Sequence, residues 1–171
     1  MSQRHTYSAV SYVPDCAPTT AGQVADILER WRKRNEDHYS NRRKDHRFPY
    51  PNRVLVVATL PPDETTGGES LHVVVETQTR NLSCGGISLL AAPLFVPQTA
   101  GEHTPLLHAD RIFVVGRVVS IGLPRQGSEC LWMRGTIIRS RTVHHGFREC
   151  GISFVARQRS QDLSAADDVV V

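Results

Sequence analysis

A chain of 171 residues with 40% hydrophobic and 22% charged residues fits one domain of ordinary size, large enough to bury a core without disulfide or metal staples. It holds no apolar run near the roughly 18 residues that span a bilayer, and its opening "MSQRHTYSAVSYVPDCAPTT" lacks the charged-then-apolar layout of a leader, so a cytoplasmic chain is expected. The net charge of +3 is local: from Glu29 to Arg53 nine Lys and Arg stand against four Asp and Glu, giving +5, and the remainder sums to −2.

In chain order, residues up to about Pro18 show no periodicity and include Pro14, which predicts a mobile terminus. Thr20 and Gln23 then have the form of a capping box, and Val24, Ile27, Leu28 and Trp31 fall at helical spacing. An amphipathic helix is expected from Thr20 to near Asp37, packed on the chain's own domain, because four apolar positions cover too few heptads for a coiled coil. Next comes "NRRKDHRFPYPN", in which Arg42, Arg43, Lys44 and Arg47 crowd ahead of an apolar run. Such a cluster between elements usually reads as a solvated connector. Its bias toward arginine, which takes phosphate and guanine edges with a two-pronged fork, also fits a binding segment.

Beyond Pro49 and Pro51 the composition turns to β-branched residues. Arg53 to Leu60 and Leu71 to Thr79 read as a long hairpin across the turn-rich "PPDETTGGES". Gly86 to Leu90, Ile112 to Ile121, Cys130 to Val143 and Phe147 to Val155 read as four more strands, with turns near "GLPRQGS" and "HHG". Six strands with short interruptions predict a mainly β protein, a closed or nearly closed antiparallel barrel that leaves few open edges. Residues 91–110 between the third and fourth strands are longer than an ordinary connection and are expected to be an insertion or a functional loop. The resulting division is a terminus and helix over residues 1–40, a barrel over 41–157 and a solvated tail over 158–171 containing Asp162, Asp167 and Asp168.

Cys16, Cys84, Cys130 and Cys150 are widely spaced with no CxxC pair, which predicts reduced thiols and no metal. His144 and His145, with His103 and His108, lack ligand spacing and read as solvated turn residues. Ser83, Asp45 and a distant histidine are the raw material of a hydrolase, but no GxSxG turn surrounds the serine, so no enzyme is expected.

The segment "RNLSCGGISLL" reads first as a turn, with Asn81 and Ser83 suited to local hydrogen bonds and Gly85 and Gly86 permitting unusual angles or close approach. Together, Arg43-x-x-x-Arg47 before the first strand and Asn81-x-Ser83-x-x-Gly86 at the second-to-third strand turn resemble the two-part signature of the PilZ domain family. Members of that family are six-stranded barrels that bind the bacterial second messenger cyclic di-GMP. "RIFVVGRVVSIG", "MRGTIIRS" and "ECGISFV" are similar to the family's last three strands, with its Gly-x-x-Phe ending at Gly151 and Phe154. The resemblance runs from about Asn41 to Arg157.

It implies that Arg43 and Arg47 clamp phosphate and guanine, that Asn81 and Ser83 bond a guanine, and that Gly86, beside Gly85, lets the ligand approach the backbone. Arg42 would contact a second, stacked ligand molecule. The gap of 33 residues between Arg47 and Asn81 is long for the family and traces to the extended hairpin tip. The implied function is a cyclic di-GMP receptor, without cofactor, that signals through a protein partner; the alternative is an adaptor acting by protein contacts without nucleotide. Single-stranded nucleic acid would call for exposed stacking aromatics, and Trp31 on the helix stripe and Trp132 in a strand supply few, so it is not expected as a partner.

Overall fold

A computed structural model describes residues 10–15, 26, 29–30, 47–50, 52–62, 68–98, 106–124 and 130–157. These residues form strands β1 (Val10–Pro14), β2 (Phe48–Pro49), β3 (Arg53–Leu60), β4 (Leu71–Ser83), β5 (Gly86–Ala91), β6 (Leu94–Pro97) and β7 (Leu107–His108). After a one-turn helix at Ala109–Ile112 come β8 (Val118–Pro124), β9 (Cys130–Thr142), a short 3-10 turn at His144–Gly146 and β10 (Arg148–Arg157).

Six of these strands close on themselves in the order β3-β8-β9-β10-β5-β4, with β4 pairing back to β3, and every pairing in the ring is antiparallel. The expected closed barrel is therefore present. Period-two alternation selects its interior: Val54, Val56, Ala58 and Leu60 of β3 are buried, as are Val73, Val75, Thr77 and Thr79 of β4. Ile87 and Leu89, Val119, Ile121 and Leu123, Ile137, Cys150 and Ile152 join them from the other four strands.

Two sequence expectations are corrected and a third takes a definite form. The stretch before Pro18 is not all a mobile terminus, because β1 adds to the sheet: Val10, Ser11 and Tyr12 pair in parallel with Val73, Val74 and Val75 of β4, and Tyr12 to Pro14 pair antiparallel with β6. Of the insertion or functional loop expected over residues 91–110, the described part is a structured insertion, since β6 and β7 pair with each other and Phe95 and Leu107 are fully buried. The strand expected over Ile112 to Ile121 begins only at Val118. Ile112 ends the one-turn helix, Gly116 takes φ 89°, and the Arg117 guanidinium donates to the Ile112 carbonyl at 3.0 Å and to that of Arg111. Burial is the first cause that pushes the Arg117 pKa down, with Arg111 nearby acting in the same direction.

Of the helix expected from Thr20 to near Asp37, only Asp26, Glu29 and Arg30 are among the described residues; all three are helical and exposed, and the rest lies outside them. Among the described residues no helix is long and apolar enough to cross a membrane. Trp132 lies across Gly122 of the neighbouring strand, where a Cβ would come within 2.9 Å of the indole ring.

Two measurements check this architecture. Tyr12 is 2% exposed, so Tyr12→Ala should lower unfolding stability by about 3 kcal/mol in urea titration, where a residue in a detached terminus would change nothing. Burial pushes the Cys150 thiol up to about 12, partly opposed by its hydrogen bond with Ser140. The contribution of this neutral thiol to stability is thus complete below the ordinary value of 9.0 and is lost as pH rises toward 12. At pH 8 a thiol reagent followed by mass spectrometry should modify exposed Cys84 in the native chain and reach Cys150 only after denaturation.

Candidate functional site

The lead segment reaches the barrel through β2. Phe48 and Pro49 pair with Leu82 and Asn81 at the far end of β4, and the Tyr50 amide donates to the Arg80 carbonyl at 3.1 Å. Thr79 pins the next turn, its hydroxyl facing the Tyr50 and Asn52 carbonyls and accepting from the Asn52 amide at 2.9 Å. The Tyr50 hydroxyl donates to the Pro124 carbonyl at 3.3 Å. These bonds fix the backbone directly after Arg47, an exposed residue, and so hold its position beside the tip of the β4–β5 turn.

Strand β4 runs four residues past the expected end, through Arg80 to Ser83, so Asn81 and Ser83 are strand residues and the turn proper is Cys84-Gly85. Ser83 pairs with Gly86, and its hydroxyl donates to the Gly86 carbonyl at 3.2 Å, which fixes the oxygen while leaving it able to accept. Asn81 is half-buried, paired with Pro49 on one side and Ser88 on the other. Gly86 has a packing reason of its own: a Cβ there would lie 2.2 Å from the Ile152 carbonyl oxygen of β10. The Phe154 amide also donates to the Gly85 carbonyl at 3.0 Å, tying the turn to the same strand.

Arg47, Ser83, Gly85 and Gly86 line one cleft of about 470 Å³. Four of the seven residues expected at the site therefore meet. Asn81 does not line the cleft, although it pairs with Ser88, which does, and Arg42 and Arg43 lie outside the described residues. The rest of the wall includes residues that sequence reasoning does not single out as site residues, among them Ser88 of β5, Ile138 and Arg139 of β9, and Gly151 of β10. The sequence marks Gly151 only through the closing Gly-x-x-Phe, and Arg139 only as part of a strand.

Charge beside the cleft is set by Glu149, which is 1% exposed. Arg139 Nη2 donates to its Oε1 at 2.7 Å, Arg141 Nε donates to Oε2 at 2.5 Å with Nη2 close by, and Arg80 stands 3.9 Å from Oε1. A buried carboxylate is costly unless it is paired and hydrogen-bonded, and here both oxygens are engaged. Three arginines around one carboxylate leave this group with a charge of +2. His144 and His145 are exposed in the 3-10 turn, His145 at φ 58°. No cluster of three or more His, Cys, Asp or Glu able to hold a metal forms among the described residues.

No family model matches the chain, and no curated protein matches it. Among solved structures it is similar to the Bacillus subtilis inhibitor of motility (MotI/DgrA), with a TM-score of 0.42 and 16% identity over 73% of this chain. The chain spans 47% of that protein's length. It is also similar to the PilZ domain with c-di-GMP of YcgR from Escherichia coli, with a TM-score of 0.38 and 15% identity over 75% of this chain and 100% of that one.

Because Gly86 faces fixed backbone and not a flexible side chain, Gly86→Ala should destabilise the fold by more than about 2 kcal/mol in denaturant titration, with no ligand present. Wild-type stability in that variant would show that β5 and β10 can separate and that the glycine serves only ligand approach.

Proposed function

We propose that this chain is a cyclic di-GMP receptor that signals through a protein partner. The observation that supports it is the meeting of the two sequence motifs: Arg47 of the lead segment and Ser83, Gly85 and Gly86 of the turn, far apart in the chain, line a single cleft. A volume of about 470 Å³ falls within the range of roughly 300–1,000 Å³ usual for small-molecule sites.

The chemistry of the ligand matches these groups. Cyclic di-GMP presents two phosphodiester charges and two guanines, each with an O6/N7 acceptor edge that suits an arginine fork. Arg47, with Arg43 and Arg42 before it in sequence, would supply donors to phosphate and guanine from the lead side. Ser83, its hydroxyl proton committed to the Gly86 carbonyl, offers lone pairs to guanine N–H groups. Asn81 would act from its place beside Ser88 on the neighbouring strand. Charge-assisted hydrogen bonds contribute about 1.5–3 kcal/mol each, so a handful suffices for the roughly 8 kcal/mol of a micromolar complex once ordering costs are met.

A ligand held in this way bridges the lead segment and the barrel. Binding would change how residues before Arg47 are presented, which gives a protein partner something to read.

Isothermal titration of the full chain with cyclic di-GMP tests this. Micromolar or tighter binding is expected, weakened at least about tenfold by Arg47→Ala and by Arg43→Ala, with a shallow salt dependence because only two phosphates are neutralised. No heat from the folded protein at high ligand concentration would overturn the receptor and leave the nucleotide-free adaptor.

A further inference from the structure

Four strands place one residue each in a single cross-strand row, and three of the four face the cleft. Asn81 of β4 pairs with Ser88 of β5, Ser88 with Gly151 of β10, and Gly151 with Arg139 of β9. Ser88, Gly151 and Arg139 all line the cleft. A Cβ at position 151 would stand 3.5 Å from the Arg139 Cβ and 3.7 Å from its Nε, so the glycine leaves a bare strip beside the arginine stem.

The strip has an apolar border. The register slips between Gly151 and Ile152, which pair with Arg139 and Ile137, so Ile138 is the extra residue of a β-bulge. It also lines the cleft and is 61% exposed, an unusual position for an isoleucine in a strand. Bare backbone flanked by an aliphatic side chain is a floor for a flat, weakly polar surface and not for a phosphate.

The polar groups at its two ends are placed for a planar ligand's edge. The Arg139 side chain is 47% exposed, and its guanidinium, which carries five N–H donors, is oriented among the described residues by the 2.7 Å bond from Nη2 to Glu149. Ser88 is 2% exposed, and its hydroxyl has no hydrogen-bond partner among the described residues. A buried hydroxyl without a partner costs stability, and such a group on a cleft wall is accounted for when a ligand completes it.

We infer that Arg139, oriented by Glu149, is a ligand-binding residue that reads the O6/N7 edge of a guanine lying over Gly151 against Ile138, with the Ser88 hydroxyl bonding the same base. The inference rests on the receptor reading above and adds a recognition element that belongs to the rigid barrel and to neither sequence motif. Arg139 is the specificity-determining residue, since adenine presents a donor where guanine presents O6. Glu149 is a positioning residue that acts through it.

The test is titration of the full chain and its variants with cyclic di-GMP and with cyclic di-AMP, with thermal unfolding of each protein beside it. Arg139→Lys keeps a cation near Glu149 but loses the fork, and should weaken cyclic di-GMP binding about 10- to 100-fold while narrowing the preference over cyclic di-AMP. Ser88→Ala should weaken binding about three- to tenfold with a melting temperature equal to or above wild type, a pairing that a structural role would not produce. Affinity and nucleotide preference unchanged in Arg139→Lys and Arg139→Ala, in a wild type that binds, would overturn this inference alone. A folded wild type that binds neither nucleotide would overturn it together with the receptor reading.

Discussion

Strand β4 has two edges and four partners, and the architecture follows from how it divides them. Every backbone N–H and C=O that it buries must be paired, so thirteen residues, Leu71–Ser83, are shared out by length. On one edge β3 covers Leu71 to Gln78 and β2 continues over Asn81 and Leu82. On the other, β1 covers Val73 to Val75 and β5 takes over from Gln78 to Ser83. The first division closes the barrel and the second attaches the added strands β1, β6 and β7. Because β2 and the β4–β5 turn both ride on the last few residues of β4, the lead segment and the turn are held in mutual register by one stretch of backbone.

The parts that were legible from sequence are those governed by local pattern. Val54, Val56, Ala58 and Leu60 alternate as a half-buried strand should, and β3, β5, β9 and β10 lie close to where composition put them. The failures have tertiary causes. Val10–Pro14 carries proline and little periodicity, and it becomes a strand only because β4 offers a free edge for parallel pairing, which no local signal encodes. "RIFVV" has the composition of a strand, yet Ile112 and Phe113 are buried at the end of a helical turn whose carbonyls are taken up by Arg117, a side chain five residues on. Arg80 to Ser83 looks like a turn by residue type and is strand because β2 and β5 flank it.

The site divides in the same way. Arg47, Ser83, Gly85 and Gly86 were visible because they belong to linear motifs, and the cleft brings them together. Ser88, Ile138, Arg139 and Gly151 were not, because what unites them is a row across three strands, broken by a bulge that turns Ile138 outward. Register is a property of paired backbones, and a one-residue slip exchanges the faces of every side chain beyond it. A sequence read without its pairing partners therefore shows an arginine in a strand and not the wall it belongs to.

Glu149 shows how much the fold commits to that wall. A fully desolvated carboxylate is not an economical way to join strands, since apolar residues of similar size often serve a core as well or better. It persists here with both oxygens engaged by Arg139 and Arg141, and its effect is to hold long, otherwise mobile side chains in one geometry at the protein surface. Ordering such a side chain costs about 0.5–1.5 kcal/mol when it happens on binding. When a buried partner imposes the order beforehand, that loss is met in folding and drops out of the affinity. The two sides of the cleft then differ in kind: the barrel side is set before a ligand arrives, whereas the lead side contributes through Arg47, exposed and borne on the two-residue pairing of β2. On the receptor reading proposed above, that asymmetry would let a ligand's contacts reorient the exposed Arg47 side chain, with the barrel as the fixed reference.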